Sequence, residues 1–119
     1  MNTQVLIRID PIEEKPNFRL VTLSGQVDES NLHMVEEQLE TLVNHDDVRV
    51  LVFNFRDLEF INSRVIGYLL SIYSSMAEAD KRMAIVESNQ NIMSILSLVG
   101  LTTLIGHYGN LSEALEVLE

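Results

Sequence analysis

The side chains best suited to acid–base, metal or nucleophilic chemistry are dispersed along this sequence. Its three histidines, His33, His45 and His107, fall in the first turn of a candidate helix, in a loop and in a terminal strand. None pairs at the H-E-x-x-H spacing that sets two imidazoles on one helix face to share a metal ion. They read as surface or half-buried histidines. The five glycines, Gly25, Gly67, Gly100, Gly106 and Gly109, form neither G-x-G-x-x-G nor G-x-x-x-x-G-K, the loops that turn backbone amides onto a phosphate. No G-x-S-x-G elbow exposes a serine nucleophile. The absence of Cys removes disulfides, thiolate ligands and Cys nucleophiles. The many carboxylates lie on candidate helix faces and in loops, where they are solvated charge. Neither an enzyme, nor a metal, nor a cofactor is expected.

One hydroxyl stands apart. The segment Asn54 to Tyr73, NFRDLEFINSRVIGYLLSIY, carries a buried strand into a helix through a short loop ending at Ile61-Asn62-Ser63. In α/β sheets functional groups gather where the carboxyl end of a strand turns into a helix. Ser63 falls there, beside backbone amides with no partner in the helix and at the positive end of its dipole. Either Ser63 caps the helix, or Asn62 does and Ser63 stands free in the first turn. Asn54 and Asn62 read most simply as strand-end and turn residues bonding to backbone.

The elements that would position this hydroxyl follow from periodicity. Val5, Ile7 and Ile9 alternate with Leu6 and Arg8 as a strand with one buried face. A polar connection through Glu13, Glu14, Lys15 and Pro16 leads to a second strand, Phe18 to Leu23, stopping at Ser24-Gly25, and the two make a hairpin. Leu32, Val35, Leu39, Leu42 and Val43 recur at helical spacing, with Asp28, Ser30 and Asn31 as candidate caps. Val48 to Phe55 is apolar at six of eight positions, a density without alternation that marks a central strand covered on both faces. A helix from Ser63 to Ala79, a strand Met83 to Val86, a helix capped by Ser88 or Asn89 and ended by Gly100, a weak strand Thr103 to Tyr108 and a helix Leu111 to Leu118 complete the chain. The order β-β-α-β-α-β-α-β-α is an α/β fold: a single mixed, mainly parallel β-sheet of about five strands with about four α-helices. On a helical wheel the second helix spreads its apolar residues over about 200°, wider than the stripe that packing on a sheet requires. Neighbouring helices cover that width, or part of it is exposed to a partner.

The chain has 119 residues, 46% hydrophobic and 22% charged, so one domain over 1–119 is expected and disorder is excluded. Eighteen acidic against eight basic residues give a net charge of −10. Such a chain repels phosphate backbones and anionic lipid, so neither nucleic acid nor direct membrane insertion is expected. The first ten residues lack a basic region followed by an apolar run, so a cytoplasmic protein without a secretory signal is expected.

The sequence resembles the STAS domain family of bacterial anti-sigma factor antagonists and of sulfate transporter C-terminal parts. The resemblance rests on Leu23-Ser24-Gly25-Gln26-Val27-Asp28, Val50 to Asn54, Phe60-Ile61-Asn62-Ser63 and Val65-Ile66-Gly67-Tyr68-Leu69-Leu70. Ile95 to Leu101 and Tyr108 with Ser112-Glu113-Ala114-Leu115 extend it, so that it covers about Val5 to Leu118. In the family the loop reads Asp-Ser-Ser-Gly or Asp-Ser-Thr-Gly, and its first hydroxyl residue is phosphorylated. Carried over by position, that residue is Ser63. Asn62 stands where Asp is usual, Arg64 replaces a small hydroxyl residue, Val65 replaces Gly and Asn54 replaces an Asp, while Asp28 matches the family acid.

The resemblance implies a phosphorylation-switched protein-binding regulator. Its partners would be an anti-sigma factor or related serine kinase, with a serine phosphatase to reset it. Around Ser63, the residues Asp28, Asn62, Arg64, Ile66 and Gly67 would face the partner. From its own chemistry Arg64, a departure from the family, either is solvated in the first turn or pairs with the phosphate. If both amides lie near Ser63, the replacement of two carboxylates by Asn54 and Asn62 would lower repulsion toward a phosphate. The alternative is an unphosphorylated STAS subunit of a larger lipid- or ion-transport or stress-signalling complex.

Overall fold

A computed structural model describes residues 4–118. The alternating N-terminal segment forms β1 (Val5–Ile12), joined to β2 (Lys15–Val27). Glu14 turns the chain with a left-handed backbone, φ 65°, and the strands pair antiparallel from Val5↔Gly25 to Pro11↔Arg19. The hairpin is as the sequence suggests, but Lys15 and Pro16, expected in the connection, open β2, and β2 does not stop at Gly25. That glycine has φ 92°, and a Cβ there would lie 2.3 Å from the Gln4 carbonyl oxygen. Lacking a side chain, it lets the strand bulge and continue rather than end.

After α1 (Leu32–Val43) comes the apolar strand β3 (Val50–Asn54), then β4 (Leu58–Ile61), α2 (Ser63–Glu78) and β5 (Arg82–Val86). The chain continues through α3 (Gln90–Leu98), α4 (Leu101–Leu104), β6 (Gly106–Tyr108) and α5 (Leu111–Leu118). The sheet runs β1-β2-β3-β5-β6, with every pairing beyond the hairpin parallel. Val50 to Phe53 are all buried, as a strand covered on both faces requires.

Two further stretches differ from expectation. The stretch read as a loop before Ser63 contains β4, which pairs parallel with Gln26 and Val27 just past the β3 ladder. The weak strand is only Gly106–Tyr108; Thr103 and Leu104 belong to α4, which begins after Gly100 leaves α3 with φ 78°. Asn89 caps α3 through the Ile92 amide at 3.0 Å, and Asn110 accepts from the Glu113 amide at 2.9 Å.

One core lies between the sheet and α1, α2 and α3, and a smaller one between the sheet and α5. Helix α2 buries Val65, Leu69, Ile72 and Met76, a narrow stripe at helical spacing. Ile66, Tyr68 and Tyr73 are half-buried at its margins, while Leu70 is 37% exposed. The extra apolar width is thus partly covered and partly open. No helix among the described residues is long and apolar enough to cross a membrane.

Candidate functional site

Strand β4 delivers its last residue, Ile61, into the core, and the chain then turns into α2 through Asn62. Asn62 has extended backbone, φ −108° and ψ −178°, and its Oδ1 accepts from the Val65 amide at 3.1 Å. Its carbonyl oxygen accepts from the Ile66 amide at 3.1 Å. Asn62 is therefore the cap. Ser63, next in the chain, is the first helical residue; it is exposed, and its hydroxyl makes no hydrogen bond among the described residues.

The second wall of the site is the turn between β2 and α1. Asp28 Oδ1 accepts from the Ser30 amide at 2.8 Å and from the Ser30 hydroxyl at 2.5 Å. The Asp28 carbonyl accepts from the Leu32 amide at 2.9 Å. Asn31 occupies the cap position of α1 without capping it through its side chain; that buried carboxamide accepts from the Asp28 amide and donates to the Gln26 carbonyl. Asp28 thus shapes its own turn. The residue that reaches α2 is its neighbour Glu29, whose exposed carboxylate accepts from Asn62 Nδ2.

Asn54, at the end of β3, donates to Glu87 Oε2 at 3.2 Å and accepts from the Arg56 amide at 2.9 Å. The two amides that stand in place of carboxylates therefore each hold a glutamate. Each of these glutamates brings a negative charge to an amide that stands where the family has a carboxylate.

The other residues singled out in the sequence are placed as follows. Arg64 is exposed and forms no ion pair among the described residues. Ile66 is half-buried beside the larger core, and Gly67 is exposed with open space where a Cβ would stand. Tyr68, on the flank facing α1, has its phenol pushed above the ordinary tyrosine range by burial first and then by the Glu36 and Glu40 carboxylates. The histidines do not converge: His33 and His45 are exposed, and His107 is half-buried in β6. Among the described residues no group of three or more His, Asp and Glu could hold a metal ion.

Nothing in the sequence pattern marks Glu29 as part of this site or shows that Phe60 of β4 is exposed. An acid before α1 reads as a partner for that helix's own dipole. Only the β2–β4 pairing brings it to α2.

The sequence model of the STAS domain matches residues 11–114. The chain belongs to the STAS domain family. Over 119 residues this STAS domain is 26% identical to an anti-sigma F factor antagonist of Paenibacillus polymyxa, covering 100% of this chain and 97% of the relative. Its fold is that of an anti-sigma factor antagonist from Mycobacterium paratuberculosis, with a TM-score of 0.84 at 19% identity, covering 97% and 94% of the two chains. The fold is also that of the Bacillus cell fate determinant SpoIIAA in its phosphorylated form, with a TM-score of 0.74 at 15% identity over 96% of this chain and 100% of that one. The protein is a STAS domain similar to anti-sigma factor antagonists.

Proposed function

We propose that this STAS domain is a protein-binding regulator switched by phosphorylation of Ser63. The carrying observation is that Asn62 caps α2, which leaves the exposed Ser63 hydroxyl uncommitted at the positive end of a 16-residue helix. A relative of the same fold has been solved in a phosphorylated form, which supports the reading. A kinase transfers a phosphoryl group from a nucleoside triphosphate to Ser63 Oγ; the hydroxyl proton leaves and the nucleoside diphosphate departs. The modification adds about −1.5 to −2 charge. The helix terminus accommodates that charge, so the fold persists. An interface fitted to a neutral hydroxyl would have to desolvate the phosphate, and binding falls.

The partner is an anti-sigma factor or related serine kinase, and a serine phosphatase resets the state. The domain acts by binding and not by turnover. Its partner face is the first turn of α2, with Asn62, Ser63, Arg64, Ile66 and Gly67, together with the Asp28 turn. Affinity capture of the partner with mass spectrometry of Ser63 tests this. Phosphate on Ser63, its loss in Ser63→Ala and weaker capture by the phosphoprotein are expected. Equal capture by modified and unmodified chains would overturn the switch.

A further inference from the structure

The carboxamide of Asn62 works on two elements at once. Its Oδ1 holds the Val65 amide of α2, and its Nδ2 donates to Glu29 in the turn before α1. Because an amide has one donor end and one acceptor end, the Glu29 contact fixes which way the cap points. The bond lies at an exposed carboxylate, and Ser63 is the residue directly after Asn62. A phosphate on Ser63 is therefore held one residue from a group already bound to a carboxylate. A phosphate at the residue next to Asn62 repels the carboxylate that Asn62 holds, and the covalently fixed charge cannot leave.

We propose, resting on the reading of Ser63 as the acceptor, that Glu29 is a positioning residue that senses the charge at position 63. While Ser63 is neutral, Glu29 is latched to Asn62 and the Asp28–Asn31 turn is tied to α2. When Ser63 carries phosphate, the Glu29 carboxylate is expelled from Asn62, while the β2–β4 pairing keeps the turn beside α2. One modification then alters two surfaces: the first turn of α2 gains charge, and the Glu29 carboxylate is freed into solvent at the entry to α1, where Met34 is 47% exposed. The family's carboxylate at position 62 could not make this bond to Glu29; the amide can.

The test uses the full chain with phosphoserine placed at position 63 during translation, so it does not depend on finding a kinase. Nuclear magnetic resonance reads solvent exchange of the Asn62 side-chain amide protons and the backbone shift of Ser30. In the unmodified protein exchange is expected to be slow, and Glu29→Ala to set the released rate, about fivefold faster for loss of one such hydrogen bond. The phosphoserine protein is expected to match Glu29→Ala in exchange and to shift the Ser30 amide. Glu29→Gln keeps an acceptor without charge, so its phosphoserine form should keep the slow rate. Slow exchange in the phosphoserine parent would overturn the latch. So would equal release in Glu29→Gln, which would mean that phosphate competes for the cap and does not repel Glu29. Failure of any kinase to modify Ser63 would overturn the switch and leave this measurement standing.

Discussion

Lys81, only 7% exposed, donates its ammonium to the carbonyl of Val43 at 2.7 Å and to that of His45 at 2.9 Å. Val43 is the last residue of α1, so a cation from the turn before β5 satisfies the negative end of a helix that has no basic residue in its own last turn. Lys81→Met keeps the apolar stem and removes the donors. It is expected to cost about 2 kcal/mol, the scale for losing charge-assisted bonds to partly buried carbonyls. Urea unfolding monitored by circular dichroism measures it; an unchanged midpoint would show that water replaces the ammonium freely.

Gly25 and Gly67 should respond to alanine in opposite ways. At Gly25 a Cβ would meet the Gln4 carbonyl at 2.3 Å on a backbone of φ 92°, and Gly25→Ala is expected to cost about 2 kcal/mol or more. At Gly67, inside α2, nothing lies within 4 Å of the added atom, and Gly67→Ala should stabilise by about 0.5–1 kcal/mol through helix propensity. The second variant also tests the binding face: a more stable protein that captures its partner less well places Gly67 in the interface. Thermal unfolding and affinity capture on the same samples separate the two effects.

The difference between those glycines also explains what the sequence could and could not disclose. Val48 to Phe55 was legible as a central strand because burial on both faces writes itself as a continuous apolar run. The α2 start was legible from Asn62-Ser63 ahead of an apolar helical pattern. Gly25 was read as a terminator because a glycine in sequence does not reveal whether it ends a strand or bulges it. Strand β4 has only four residues, with the burial pattern buried, exposed, exposed, buried, so no alternation marks it, and its partner lies more than 30 residues away in β2. The Glu29–Asn62 bond spans a separation of 33 residues and exists only because that pairing forms. Local chemistry announced the hydroxyl; the carboxylate bound to its neighbour Asn62 is a product of topology.

His107 supplies a pH dependence. Its Nε2 is buried without a hydrogen-bond partner among the described residues, and burial lowers its pKa below the ordinary 6.5. The unfolded chain takes up the proton near pH 6.5 and the folded chain only at lower pH. Between those points the unfolded state binds more protons, so stability falls as pH drops through 6.5 and levels off below the folded pKa. His107→Gln should flatten that part of the stability curve relative to the parent. Urea midpoints across pH 5–8 for both proteins provide the comparison; parallel curves would remove His107 as the source.

The assignment of roles to Asn62 and Ser63 makes the sharpest contrast. If Asn62 is the cap, Asn62→Ala should cost about 1 kcal/mol, while Ser63→Ala should change stability by less than about 0.5 kcal/mol. Ser63→Asp places a carboxylate in the first turn, where the helix dipole favours it by about 0.3–1 kcal/mol, and Glu29, bound to the neighbouring Asn62, is expected to oppose it. Combining Ser63→Asp with Glu29→Gln should therefore recover stability that Ser63→Asp alone does not show. A double-mutant cycle by thermal unfolding gives the coupling directly, and its sign decides the matter. A double variant more stable than the sum of the two single effects places the two carboxylates in one field; zero coupling would mean that Glu29 does not feel charge at position 63.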